Sequence, residues 1–536
     1  MKVRADVMKF SKTMHTWVGV CSGILLFICF FAGGLSMFQH DLSRWGTPQN
    51  QILPSVAVQD YNQLIYAAQA QHPATEKSFI LNLNSKEFHV APMTWHEGGR
   101  AEGFNTQQQT WLASLDQHGQ LITQTENVSK MGWLIEQLHE TAGIPGMVGH
   151  HTLGVYVMGV VAALYFLALM SGLILLLPTL IKDYFIIRSG KNKKRFWLDT
   201  HNVIGITSLP FHILISVSVV VFAFHDVFYD SIRHLALKGE SPFARPPAER
   251  IVVEQAHIDV NQILAKVAQV APEYEVKYIQ FTGLDNPQKA NARVALYSSS
   301  QMLRGANNDF MTLNPYNVEV FNHQGIHTQT SHLNTLVNSF FSLHFGSYGG
   351  YGVRWIYLVL GIAGAFLFYS GNMLWVETRA RKQKRPQDPL PQQRKDVIFL
   401  ANLTIGACLG CILGIVSSMV IGRLSHLWMT VGSINHLYMY SYYAVFVGCL
   451  AYSFIVGYQR ALGHLLLAIA VALFMIPFTS ILAYVWPQSG LWFYLNSLSI
   501  DVTAIIMAFM FLWFYRRAQK RREQALPQSL WAVKAP

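Results

Sequence analysis

The sequence predicts a mainly α-helical integral membrane protein with eight spanning helices and two polar inserts, on three observations. Of 536 residues, 51% are hydrophobic and 13% charged, where an average soluble domain carries roughly 25% charged residues. Apolar runs near 20 residues, the length of helix that crosses a hydrocarbon core of about 30 Å, recur along the chain. The 40 Lys and Arg residues concentrate in short segments between those runs, as in a multi-pass membrane protein. This composition excludes a soluble enzyme, a disordered chain and a nucleic-acid binder. The formal charge of +11 belongs beside membrane lipid, because each basic run abuts an apolar one.

The elements follow in order. The expected spans are Thr16–Met37, Met147–Leu177, Val203–Phe224, Val353–Trp375, Val397–Ile421, Ile434–Val456, Leu462–Val485 and Leu491–Phe514. The chain then divides into an N-terminal segment with the first span (1–40), a polar insert (41–146), spans two and three with a basic loop (147–225), and a second insert (226–352). Span four with another basic loop (353–396), four further spans (397–515) and a tail (516–536) complete it. Short basic segments carry 24 of the 40 Lys and Arg residues, which predicts both termini in the cytoplasm and both inserts outside. The first apolar run is too long for a signal-peptide core and Phe31-Ala32-Gly33-Gly34 lacks a cleavage pattern, so it reads as a retained anchor.

Residues 11–177 and 197–375 read as two copies of one unit. His15 and His201 open spans one and three, each with glycine four residues on (Gly19, Gly205). Leu138-His139 with Gly143 and Gly146, and Leu343-His344 with Gly346, Gly349, Gly350 and Gly352, precede spans two and four, which end in Ser171-Gly172 and Ser370-Gly371. The inserts echo each other as well. Amphipathic helices are expected at Tyr61–Gln71 and Val260–Val270, and strand-turn-strand patterns at Leu115–Ile122 and Leu313–Val320, giving two small α+β domains.

Pairing the copies sets His15 against His201 near the inner face and His139 against His344 near the outer one. Opposed imidazoles on different helices are what two haem b groups need, because a six-coordinate iron takes one axial ligand on each side of the porphyrin. The glycine one turn along the same helix face clears room for a flat macrocycle. Zinc fits less well, with no carboxylate or thiolate cluster to complete a tetrahedron. Second-tier candidates are His212, about three turns beyond His201, His150 and His151 at the top of span two, and His40 and His225 at the ends of spans one and three. His212 reads equally as a polar core residue. His426, His436 and His464 show no partner pattern, and Cys408-Leu-Gly-Cys411 reads as small packing residues because Ile412 stands where haem c attachment needs histidine.

These residues resemble the PepSY-associated transmembrane helix family, which includes iron-regulated membrane proteins and siderophore reductases of bacteria. The likeness covers about 11–380 and is most specific at Leu343–Trp355. It implies a four-helix core binding two haems b through His15, His139, His201 and His344, with two PepSY domains in the periplasm. It also implies a multi-pass protein of the bacterial inner membrane that reduces ferric siderophores to release Fe(II). The four spans from 397 to 514 depart from a minimal family member. No Gly-x-Gly-x-x-Gly nucleotide fingerprint is present, so the expected electron donor is membrane quinol or a cytoplasmic reductase. Trp95, Trp111, Trp133 and Tyr348 are candidate docking aromatics near the outer face, and catalytic residues are not assigned. The competing readings are a transporter or uptake accessory whose outer domains bind ligand, and a regulator that inhibits a protease through those domains.

Overall fold

The computed structural model describes residues 3–532 except 84–87, 98–108, 126–130, 150, 181–185, 189–192, 236–237, 239–256, 306–307, 323–325, 327–331, 382, 384–386, 390, 429–433 and 526–528. Eight helices among these residues are long and apolar enough to cross a membrane. The chain forms two units. The first holds Met1–Thr47, Ser129–Ala223 and Leu358–Pro536, the second Pro48–Val128 and Phe224–Tyr357.

The first unit is helical. Helix α1 (Ala5–Ser36) starts 11 residues ahead of its apolar run, because the basic segment before the membrane continues the same helix. After it come α2 (Gln39–Gly46) and, following the second unit's first segment, α4 (Met131–Thr141) and α5 (Leu153–Leu176). Residues 147–152, expected as the start of span two, pair instead as a short hairpin of β5 (Met147–Val148) and β6 (His151–Thr152). The third span is broken. Helix α6 (Lys193–Thr207) stops at Ser208 and α7 (Leu209–Leu235) begins with Pro210 in its first turn, where a missing N–H costs nothing. Helices α10 (Gly350–Arg379), α11 (Lys395–Ser425), α12 (Ile434–Val456), α13 (Tyr458–Val485) and α14 (Leu498–Glu523) complete the membrane set. Leu491–Ser497 is a loop with one 3-10 turn, so the last span starts later than its apolar run. Close approach of α1 and α10 needs two glycines: a Cβ on Gly361 would sit 2.7 Å from Gly34 Cα.

The second unit joins both inserts through one antiparallel sheet. Helix α3 (Tyr61–Gln71) precedes β1 (Ser78–Asn82), β2 (Met93–Glu97), β3 (Gln109–Leu115) and β4 (Leu121–Thr125). Helix α8 (Val260–Val270) precedes β7 (Glu275–Thr282), β8 (Asn291–Tyr297), β9 (Asp309–Leu313) and β10 (Val320–Asn322). The strand order is β10-β9-β8-β7-β1-β2-β3-β4, so each half is a helix followed by a four-strand meander and the halves meet at β1 and β7, with Phe79 opposite Phe281. Two domains read separately from sequence therefore share a sheet and one apolar core, including Leu64, Ile65, Met93, Ile263, Val294 and Met311. The two helices are tied across this seam. Asn62 donates to Asp259 Oδ1 and accepts from Val260 N–H, both at 3.0 Å.

The expected strand turns form as written. Asp116 Oδ1 accepts from the N–H groups of His118 and Gln120, each at 2.8 Å, and Gly119 takes the left-handed conformation that the turn requires (φ +73°). The expected Leu-His-Gly turns differ from the sequence reading. His139 and His344 occupy the last turns of α4 and of α9 (His332–Phe345), and Gly143 and Gly346 follow with φ of +78° and +61°. The glycines stop the helices, and the histidines sit before the stop.

Candidate metal centre

His15 on α1 and His201 on α6 come together with ring centres 6.0 Å apart and planes at 78°. Each ring is held from behind in the same way. His15 Nδ1 lies 2.8 Å from Ala168 O, and His201 Nδ1 lies 3.2 Å from both Leu367 O and Ser370 Oγ. A carbonyl oxygen only accepts, so Nδ1 carries the proton in both rings and Nε2 keeps its lone pair. That is the ligating state of a metal-bound imidazole with an oriented outer shell.

Glycines seat the two rings. A Cβ on Gly172 would come within 2.9 Å of His15 Cε1, and one on Gly371 within 3.3 Å of His201 Cε1. Ala168 and Leu367 each stand four residues before their glycine, so one turn of α5 and one of α10 present the same carbonyl-and-glycine seat. The Ser-Gly endings were visible in the sequence as a repeat, and their pairing with the histidines is what sequence reasoning missed. The repeated Ser-Gly ending was the only trace of it in the residues. On the ligand side, a Cβ on Gly19 would meet no atom within 4 Å and one on Gly205 only Leu367 Cδ1 at 3.6 Å. Protein crowding does not account for glycine at either position.

A second set lies further along α1. His139 Nδ1 donates to Cys29 O (2.9 Å), and a Cβ on Gly33 would sit 2.5 Å from that nitrogen. Burial lowers the His139 pKa and the carbonyl contact works against it. His212 on α7 is fully buried, and neither of its ring nitrogens has a hydrogen-bond partner. Its neighbours are Phe30, Phe211 and Tyr165, with ring centres at 5.4, 5.5 and 5.9 Å. The Tyr165 hydroxyl is likewise buried without a partner. Cys29, Phe30 and Gly33 share about one turn of α1, so His139 and His212 address the same level of that helix. This level is 14 residues from His15, about 21 Å of helix rise.

A family model, described as the PepSY-associated TM region, matches residues 13–378. The chain belongs to this family. The match takes in His15, His139, His201, His212 and His344 and ends before α11. No curated protein matches the chain.

The other candidate ligands within the family region divide sharply. His344 is 8% exposed and packs edge-on against Phe345 in the second unit. His225 is exposed, with its Nε2 3.2 Å from Asp226 Oδ1, and lies beside Tyr229. His40 is exposed on α2. His150 and the side chain of His151 lie outside the described residues. Among those residues no group of three or more His, Cys, Asp or Glu is gathered to hold a bare metal ion.

Two of the candidate docking aromatics are committed elsewhere. Trp95 is 1% exposed and stacks parallel to Trp111 across β2 and β3, ring centres 6.0 Å apart, with His72 against both. The alternation of the strand points Trp95 into the sheet core, which the sequence position in an outer loop did not convey. Trp133 is half-buried on α4, and the Tyr348 hydroxyl lies 3.2 Å from that of Tyr357. Beyond the family region, Cys408 and Cys411 are free and buried in α11, as packing residues are.

Proposed function

We propose that this chain is a di-haem b electron-transfer protein of the bacterial inner membrane, an oxidoreductase that reduces ferric siderophores on the periplasmic side. The observation that carries the reading is the His15 and His201 pair. A metal about 2 Å from the Nε2 atoms of two opposed imidazoles holds the ring centres roughly 6 Å apart, and theirs are 6.0 Å apart. Haem, when bound, supplies a one-electron relay that the side chains themselves lack.

The residues of the chain do the holding. Ala168 O and Leu367 O fix the imidazole tautomers, while Gly172 and Gly371 set the ring positions. His139 and the orphaned ring of His212 are the first candidates for the second haem, because a buried imidazole with two unsatisfied nitrogens costs about 1–3 kcal/mol that a ligand would recover. His344, paired with His139 by the repeat, remains the third. The halves of the eight-stranded sheet, each a helix and a four-strand meander, support two PepSY domains fused edge to edge. Basic segments beside α5, α6, α10, α11 and α14 support cytoplasmic termini.

The substrate chemistry is that of a ferric ion in hard oxygen ligands, which binds less tightly once reduced to Fe(II). The donor is membrane quinol or a cytoplasmic reductase on the basic face. Detergent-purified protein, reduced anaerobically and mixed with a ferric hydroxamate, is expected to reoxidise in a stopped-flow trace while a ferrous chelator traps Fe(II). Reduced protein that stays reduced with every ferric siderophore class would contradict the reading and favour a transport role.

A further inference from the structure

Among the described residues of the four helices beyond the family region, one carboxylate and one guanidinium are buried. Between residues 397 and 522 the only acidic residue is Asp501. It is 4% exposed, and Arg423 is 1% exposed. Ser480 joins them: it accepts from Arg423 at 3.0 Å and donates to Asp501 at 2.9 Å, linking α11, α13 and α14. Arg423 also donates to Trp492 O and lies over the rings of Trp45 (4.4 Å) and Trp492 (5.3 Å). Trp492 and Tyr494 in turn donate to the carbonyls of Trp45 and Thr47, each at 2.8 Å.

Packing alone gives a weak reason to keep such a group. A buried charge pair costs desolvation, and well-packed apolar side chains in its place are often neutral or stabilising. Charged residues inside spans are functional candidates by default. Two polar atoms here are also unfinished. Arg423 Nε is a buried donor without a partner, and His426 Nε2 is a buried nitrogen without one. His426 is the C-cap of α11, three residues after Arg423, and both touch the Trp492 ring, His426 with ring centres 5.1 Å apart. The residue is half-buried, beside half-buried Leu427 and exposed Trp428 at the helix end.

A ligand that completes this set donates to an imidazole nitrogen, accepts from a guanidinium N–H, has a flat body that lies against indole, and arrives through lipid. We infer that His426, Arg423 and Trp492 form a binding site for a quinol headgroup, with Asp501 behind it as the second proton acceptor. The site lies at the α1 end bearing His139, since α2 carries Trp45 and a Cβ on Gly132 of α4 would collide with Gln39 O of α2. This rests on the proposed function and selects its donor. Oxidation of one quinol breaks two O–H bonds. One proton would go to His426 and one through Ser480 to Asp501, and the two electrons would be taken up one at a time by ferric haem held at the histidine sets, leaving quinone.

The test is equilibrium binding of a short-chain ubiquinol and a short-chain menaquinol to the full-length, pre-reduced protein under anaerobic conditions, read by quenching of tryptophan fluorescence, with haem content measured in the same sample. Wild type is expected to show saturable quenching. His426→Leu is expected to weaken binding about tenfold, the loss of about 1.4 kcal/mol. Arg423→Met combined with Asp501→Leu, which leaves no charge unpaired, is expected to stay folded and monodisperse yet bind at least as poorly. Non-saturable quenching by wild type, or equal affinity in folded variants, would overturn the site and leave a cytoplasmic reductase as donor. Saturable binding to protein that holds no haem would keep the site and remove the electron-transfer reading, so the two failures are distinct.

Discussion

The two histidine levels of α1 are built by different means. At His15 the partner is His201, and the two rings have equivalent seats: a carbonyl from α5 or α10, with glycine four residues on. At Cys29 the level is lopsided. His139 is held by the Cys29 carbonyl and Gly33, whereas His212 has no hydrogen-bond partner and is wrapped in aromatic rings. An internal repeat predicts the first kind of site, because both ligands and both seats occur twice. It does not predict the second, since His212 has Leu26 at the corresponding place in the first copy.

The largest expected effect breaks the first site alone. His15→Ala or His201→Ala should halve the haem content by pyridine haemochrome and leave the other haem's spectrum unchanged. Loss of neither haem in both variants would end the pairing. A second test sharpens the far level. His212→Phe in haem-free protein should raise the unfolding temperature, because it removes about 1–3 kcal/mol of unsatisfied burial, while in haem-loaded protein it should remove one haem. Stabilisation with full haem content would make His212 a core residue and return His344 as the ligand.

Smaller effects separate the two seats of the near pair. Gly172→Ala should disturb the site more than Gly371→Ala, because the added carbon meets the His15 ring at 2.9 Å against 3.3 Å for His201. Low-temperature EPR of the oxidised protein reads this directly, and equal spectra would show that the rings yield freely. Smallest, Ser370→Ala should shift that signal while Ser171→Ala leaves it in place. Ser370 Oγ is within 3.2 Å of His201 Nδ1, whereas Ser171 bonds only to its own helix, at Leu167 O and Ala168 O.

Much of this was legible in the residues. Tyr61–Gln71 and Val260–Val270 are helices with the bounds the pattern suggested, because their apolar faces recur at helical spacing. The Asp116 turn followed from its residue types. Hydropathy located the spans and misplaced their ends, since α1 continues into basic residues and apolar Leu491–Ser497 is a loop. The joining of β1 to β7 was hidden, as strand pairing across 200 residues leaves no local trace. At the site, the near pair was legible from the repeat, and the seats under it were not. Which carbonyl meets which imidazole depends on how helices cross, and one chain's periodicity does not contain that angle. Trp95 failed for a similar reason, because its position named a loop while its strand pointed it inward.

The central claim is that the chain holds b-type haem through these histidines. The most direct measurement is the oxidised and dithionite-reduced absorption spectrum of protein purified from haem-replete cells, with haem quantified per chain as the pyridine haemochrome. A reduced α-band of low-spin haem b at two haems per chain is expected. Colourless protein, well folded and monodisperse, would contradict it.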